Sequence, residues 1–285
     1  MTDDVSGENK RPQPVIWLDA LQRAAMRYLL SDRLPLYLVP EYPKSGASWF
    51  SQMLSDALGV PFPRNERPRI ESCILHGHFL YHPRFENAFC VMRDGRDIAV
   101  SAYFHYLQHN DKNHPRMVER HRSNVPFDDY EAVRENMPAF IEYLFTGDPN
   151  LIRNFSWDEF VRSYLGREDV YIVRYEELLE DAAGTLKEAV SEVLGIELAL
   201  DRLEAIEEKY SFENVAGREP GEEDTSSFAR KGVAGDWKNK FTPRAAEVFD
   251  SFAGEELVRL GYEEDRDWVD RVRDELVDRG ESGGR

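Results

Sequence analysis

The stretch Tyr42-Pro43-Lys44-Ser45-Gly46-Ala47-Ser48-Trp49 decides how this chain is read. Leu36, Tyr37, Leu38 and Val39 precede it as an apolar run of strand length, and Phe50, Met53, Leu54, Ala57 and Leu58 follow at helical spacing. Strand, tight loop and helix therefore succeed one another. Such a loop aims backbone N–H groups and the positive end of a helix at one point, which favours an anion. Pro43 stiffens the entry, Gly46 permits close approach and unusual dihedrals, and Lys44, Ser45 and Ser48 add donors. An ordinary turn with a surface lysine is the plainer alternative. The nucleotide-triphosphate loop G-x-x-x-x-G-K-[ST] does not fit, because here the lysine precedes the glycine and no earlier glycine stands at the required spacing.

Working outward, the 285 residues suffice for one large α/β domain or two small ones, and 41% hydrophobic content supports a substantial core. No run of about 18 apolar residues suggests a membrane span. The opening Met1-Thr2-Asp3-Asp4 has neither the charge nor the apolar stretch of a secretion signal, so a cytoplasmic protein is expected. Cys73 and Cys90 lie among apolar neighbours and read as buried thiols. A net charge of −18 disfavours a general nucleic-acid binder. An anionic ligand would need a local positive pocket, for which Lys44, Arg93, Arg230 and Lys231 are candidates.

Residues 1–14 are polar and expected to be disordered. An amphipathic helix is expected over Val15–Leu30, and Pro61, Pro63 and Pro68 mark 59–72 as a loop. Cys73 to Phe79 reads as a short strand carrying His76-Gly77-His78. A satisfied structural histidine pair and an active-site edge are both open; no third ligand at a recognisable spacing supports a metal. Ala88–Met92 is a second buried strand and runs into Arg93-Asp94-Gly95-Arg96-Asp97 and a helix. The repeated pattern of strand, polar turn and helix predicts a parallel sheet with helical crossovers. Arg93 and Ser101 could face one pocket, and Arg93 could instead pair with Asp94 or Asp97. The stretch 108–155 lacks strand signals and shows a helical patch at 130–145. Its aromatics and those just before it, Tyr103, Phe104, Tyr106, Phe140, Tyr143 and Phe145, suit either an apolar pocket or a core.

Ser156-Trp157-Asp158-Glu159 has the form of a capping box. Val170–Val173 is a third strand, ending at Arg174-Tyr175. Helices are expected at 182–194 and 199–209, with Gly195 as the stop between them. Tyr210-Ser211-Phe212 leads into the Glu-, Gly- and Ser-rich segment 213–229, which reads as a mobile loop. Arg230-Lys231-Gly232 follows, two cations and a residue without a Cβ, a combination suited to a dianion. From Glu263 an acidic helix and a frayed tail are expected to form a separate C-terminal segment, leaving 15–262 as the domain.

Taken together, these segments resemble the sulfotransferases that use 3′-phosphoadenosine 5′-phosphosulfate (PAPS), from about Leu36 to about Glu247. The loop at 42–49 is similar to their 5′-phosphosulfate loop, with Ala47 and Ser48 where the family commonly has two threonines. The run Phe228 to Lys238 is similar to their C-terminal signature. The resemblance implies a single α/β domain with a central parallel sheet flanked by helices, related in shape to nucleotide kinases. It implies transfer of a sulfuryl group to a hydroxyl or amine of a small-molecule, lipid or glycan acceptor, with PAPS as co-substrate and no metal. By the same resemblance His78 matches the general base, with His76 as second choice and standing where the family often has lysine. Lys44, Ser45, Gly46, Ala47, Ser48 and Trp49 hold the 5′ end of the donor. Arg93, Ser101, Arg230, Lys231 and Gly232 hold its 3′-phosphate, and Tyr175, Phe212 and Trp49 hold adenine. Lys238, Thr242 and Glu247 have the spacing of the family's dimer motif, but Pro243 replaces its valine, and a helix cap at Thr242-Pro243 is the simpler reading. A monomer or weak homodimer is expected. A P-loop small-molecule kinase and an inactive nucleotide-binding protein are the competing functions.

Overall fold

The computed structural model describes residues 13–31, 33–64, 66–109, 114–148, 154–224 and 230–278. In chain order its elements are α1 (Gln13–Leu29), β1 (Leu36–Pro40), α2 (Ala47–Leu58), β2 (Cys73–Gly77), β3 (Ala88–Met92), α3 (Gly95–Phe104), α4 (Pro115–Asn124), α5 (Val133–Thr146), α6 (Trp157–Tyr164), β4 (Val170–Arg174), α7 (Tyr175–Glu180), α8 (Ala182–Leu194), α9 (Leu200–Lys209), α10 (Phe212–Ala216), α11 (Trp237–Lys240), α12 (Pro243–Arg259) and α13 (Trp268–Asp278). A π-helical turn, His105–His109, continues α3. The expected disorder of 1–12 and fraying of 279–285 concern residues outside the described set. Gln13 and Pro14, expected to be disordered, open α1 instead.

The described chain gathers into two compact units, one of residues 13–93 and 163–222, the other of 94–162 and 223–278. The first contains the whole sheet, in order β2-β1-β3-β4. Every pairing is parallel, with Leu36 opposite Cys73 and Ala88 opposite Val170. β3 is buried at all five positions, as a central strand covered on both faces must be. Helices α2, α8 and α9 seal one face, where Phe50, Leu54, Phe89, Val173, Leu186 and Leu203 form a continuous core. Gly59 ends α2 in the left-handed region (φ 66°) and returns its N–H to the Ser55 carbonyl; Gly195 ends α8 the same way at φ 65°. Cys73 and Cys90 are buried free thiols, and burial pushes the Cys73 thiol up to about 11.

The second unit is helical and is built around Arg96, which is only 2% exposed. Its guanidinium pairs with Asp94 at 2.7 Å and with Glu263, and lies 3.7 Å from the Trp237 ring centre and 4.8 Å from that of Trp268. Residues 263–278 thus belong to this unit, with Trp268 buried. Gly95 opens α3 without a Cβ because one would lie within 2.8 Å of both Phe249 and Trp157. Thr242 caps α12 by accepting the Ala245 N–H at 3.2 Å, with Pro243 in the first turn. The cap reading of Thr242-Pro243 therefore matches the local geometry, and Glu247 pairs within the chain to Arg244 and Arg273. Half of the expected capping box forms at α6, where the Ser156 N–H donates to Glu159 at 2.8 Å. Tyr103, Phe104, Tyr106, Phe140 and Tyr143 are all buried, so at these positions the core reading holds; Phe145 stacks on Phe252 at 4.8 Å.

Candidate active site

The loop between β1 and α2 owes its form to two left-handed residues, Lys44 (φ 77°) and Gly46 (φ 92°). A non-glycine residue rarely adopts this conformation, and lysine at such a position marks backbone held by its surroundings. The Ser45 N–H donates to the Tyr42 carbonyl and the Trp49 N–H to the Gly46 carbonyl, closing consecutive turns. Gly46 answers a second demand. A Cβ there would lie 2.5 Å from Tyr175 Cδ2, so the first residue of α7 packs its ring directly on the loop. The Ser45 hydroxyl is buried yet has no hydrogen-bond partner. Buried polar groups are nearly always satisfied, and an orphaned donor in a loop of this shape fits an anionic oxygen as its partner.

Arg93 stands at the end of β3. It donates to the Lys44 carbonyl at 3.2 Å and its guanidinium carbon is 4.3 Å from the Tyr175 ring centre. The first unit therefore brings Lys44, Ser45, Gly46, Ala47, Arg93 and Tyr175 together. Trp49 lies edge-on to Tyr175 at 6.3 Å and donates its indole N–H to the Tyr210 carbonyl at 2.8 Å. Ser211 caps α10 through the Asn214 N–H, which sets Phe212 at the head of that helix. The rings of Trp49 and Phe212 do not stack on each other among the described residues.

The histidines sit at the end of β2. His76 Nε2–H donates to the Glu41 carboxylate at 2.6 Å. His78 directs Nδ1 at the Glu41 carbonyl at 3.3 Å, which leaves its Nε2 as the acceptor nitrogen. The two rings are 5.8 Å apart. The His76 side chain is 13% exposed and that of His78 26%. The more open ring suits a base, Nε2 being the accepting nitrogen of its neutral form. Glu41 went unnoticed in the sequence, where it reads as the residue between strand and loop. Among the described residues no group of three or more His, Cys, Asp or Glu side chains is arranged to hold a metal ion.

In the second unit Ser101 lies half-buried on α3. Arg230 and Lys231 both bond Asp236 at 2.6 Å, and Arg230 also meets Glu223 and lies over the Phe104 ring at 4.4 Å. Burial would raise the Asp236 carboxyl, but its bonds from Lys231 and Arg230 outweigh that and hold it at about 2. Gly232 is left-handed at φ 64°. Asp97 fixes the next turn, accepting the N–H groups of Gly235 at 2.6 Å and Trp237 at 3.0 Å. Asp97 thus holds backbone N–H groups, and Asp94 bonds Arg96. Part of the 213–229 segment, residues 225–229, is outside the described set, and 212–216 form α10.

Comparison with known proteins follows the same line. A family model described as the sulfotransferase domain matches residues 87–261, more than half of the chain. Mouse sulfotransferase 2A6 is 25% identical over 300 residues, covering 90% of this chain and 96% of the relative. Guinea pig 3-alpha-hydroxysteroid sulfotransferase is 25% identical, covering 86% and 90%. Among solved structures, a mouse sulfotransferase complexed with PAP superposes with a TM-score of 0.57 at 22% identity, covering 86% of this chain and 91% of that one. Retinol dehydratase in complex with androsterone and inactive cofactor PAP gives 0.58 at 16% identity, covering 84% and 85%. The chain belongs to the sulfotransferase family, and it is an α/β sulfotransferase enzyme.

Proposed function

We propose that the enzyme transfers the sulfuryl group of PAPS to the hydroxyl of a small-molecule acceptor, with His78 as general base. The observation that carries the reading is the β1–α2 loop, with left-handed Lys44 and Gly46, an orphaned buried Ser45 hydroxyl and Arg93 beside it. That arrangement suits a phosphosulfate, and the chain belongs to a family whose solved members include PAP complexes.

Lys44 and the backbone N–H groups of Gly46 and Ser48 balance charge on the sulfuryl oxygens and the leaving 5′-phosphate, while the N–H groups of Ser45 and Ala47 are taken by the Tyr42 carbonyl and Glu41 and hold the loop in shape. Nε2 of His78 receives the acceptor's proton as the acceptor oxygen bonds to sulfur and the bridging S–O bond to the 5′-phosphate breaks. No covalent enzyme intermediate is required. By the family resemblance, Arg93 in the first unit and Ser101, Arg230, Lys231 and Gly232 in the second are the candidates for the 3′-phosphate, for which arginine forks are well shaped. Trp49 and Phe212 offer flat faces to adenine, and Tyr175 a hydrogen bond to its edge. The acceptor class follows the relatives named as hydroxysteroid sulfotransferases.

Incubation with ³⁵S-labelled PAPS and a panel of steroid and phenol hydroxyls tests this. Transfer to at least one acceptor is expected. His78→Ala should lower kcat by about 10²–10⁴-fold while leaving nucleotide affinity within a few-fold. A variant that keeps its turnover would remove His78 from the chemistry.

A further inference from the structure

Glu41 separates β1 from the loop and is 5% exposed. Its two carboxylate oxygens do different things. Oε2 accepts the N–H of Ala47, the first residue of α2, at 3.0 Å, and Oε1 accepts Nε2–H of His76 at 2.6 Å. The backbone carbonyl of the same residue takes Nδ1–H of His78 at 3.3 Å, and the carboxylate is 3.9 Å from that nitrogen. The Glu41 N–H donates to the Gly77 carbonyl at 3.0 Å. Every polar group of this residue is therefore bonded to the loop's helix or to the histidine segment. The groups facing the carboxylate are His76 and His78 from β2's end, the Ala47 N–H, and Cys90 of β3. Burial would raise the Glu41 carboxyl, but the bonds and charges of His76, His78 and Ala47 hold it below the usual carboxylate range.

We propose that Glu41 is the positioning residue of this active site: its carboxylate couples the donor loop to His76, and its carbonyl orients His78 with Nε2 toward the reaction. This deepens, and rests on, the sulfotransferase reading. His76 is then a link in the scaffold and not the base, because the nitrogen it directs at Glu41 is committed. A loop that binds a multiply charged anion and a base that must sit within hydrogen-bond reach of the acceptor are held by one side chain.

Glutamine at position 41 keeps the shape but offers one acceptor oxygen and one NH₂. With its oxygen on the Ala47 N–H it turns the NH₂ toward His76 Nε2, which must then shed its proton to Nδ1 in order to accept; otherwise two donors face each other. The test uses the full chain, calorimetric titration with 3′-phosphoadenosine 5′-phosphate and ¹⁵N spectra of histidine-labelled protein. Glu41→Gln is expected to weaken nucleotide binding at least tenfold and to move the ring-nitrogen signals of both His76 and His78, assigned with H76Q and H78Q. Adding H76F to E41Q should weaken binding less than twofold further, since the link is already cut. If E41Q is unstable, H76F, which has no ring N–H to offer Glu41, cuts the same link from the other side. It should weaken the nucleotide about threefold to tenfold and shift the His78 signals. Affinity within twofold of the wild type, or unmoved histidine signals, overturns the coupling. Failure of the wild type to bind this nucleotide would instead remove the sulfotransferase reading. The ligand-free histidine spectra would still decide whether Glu41 orders the two rings.

Discussion

Gly46 carries two constraints at one Cα: a left-handed backbone and the face of the Tyr175 ring. Substituting alanine meets both. Gly46→Ala is expected to destabilise the protein by roughly 2–4 kcal/mol, combining the cost of a left-handed L-residue with that of displacing a packed ring. Urea unfolding measures the loss, and nucleotide titration should show binding lost at least tenfold in the fraction that folds. A variant of wild-type stability would mean that the ring yields freely. Of the residues at this scale, Lys44, Gly46, Arg93 and the histidines were legible because their chemistry is local: a cation, a flexible backbone and a base each announce themselves by type. Glu41, Arg96 and Asp236 were not. Each is an ordinary charged residue whose role comes from partners distant in sequence or from burial. Arg96 shows this best, since nothing in Arg-Asp-Gly-Arg-Asp indicates which arginine will be sandwiched by two tryptophans from the far end of the chain.

At the scale of elements, the segment 230–237 is held by two carboxylates. Asp97 ties its backbone and Asp236 its two cations. Asp236 titrates lower in the folded chain than the usual carboxylate, at about 2. Its contribution to stability is therefore complete above about pH 4 and is lost as pH falls through 2. Asp236→Asn is expected to cost about 1–2 kcal/mol at pH 7, less than a dry pair would give because solvent reaches Lys231. Thermal unfolding from pH 7 down to pH 2 should show the gap between variant and wild type closing below about pH 4. A gap constant with pH would assign the loss to packing. The strands and the helices α2, α8, α9 and α12 follow from apolar period, left-handed glycines and the Thr242-Pro243 start. The short α7 was missed because Tyr175-Glu176-Glu177-Leu178 lacks a cap of its own, the Arg174 side chain making no cap hydrogen bond. The break of α12 at Ala253 (φ −141°) falls beside Gly254, a weak helix former where a Cβ would run into the Asp250 side chain.

For the whole molecule, the proposed function asks an acidic chain of net charge −18 to bind a donor that is itself strongly anionic. Field effects from the exterior oppose that, so affinity has to come from short-range contacts: oriented N–H groups at a loop and paired arginines. The sequence already indicated this, because its few local cations recur at strand ends and in one late loop. What it left open was how those cations are held, and the answer is a property of three-dimensional packing: Asp236 holds Arg230 and Lys231, whereas Arg93 lies on the Lys44 carbonyl and the Tyr175 ring. The most direct measurement is calorimetric titration of the purified chain with 3′-phosphoadenosine 5′-phosphate, 5′-AMP and ATP·Mg²⁺, repeated on Arg230→Ala. The 3′-phosphorylated nucleotide should bind at least a hundredfold more tightly than 5′-AMP, and Arg230→Ala should remove most of that preference, on the order of 2–3 kcal/mol for a charge-assisted contact. Equal binding of all three nucleotides, or preference for ATP·Mg²⁺, would contradict a PAPS-dependent transfer.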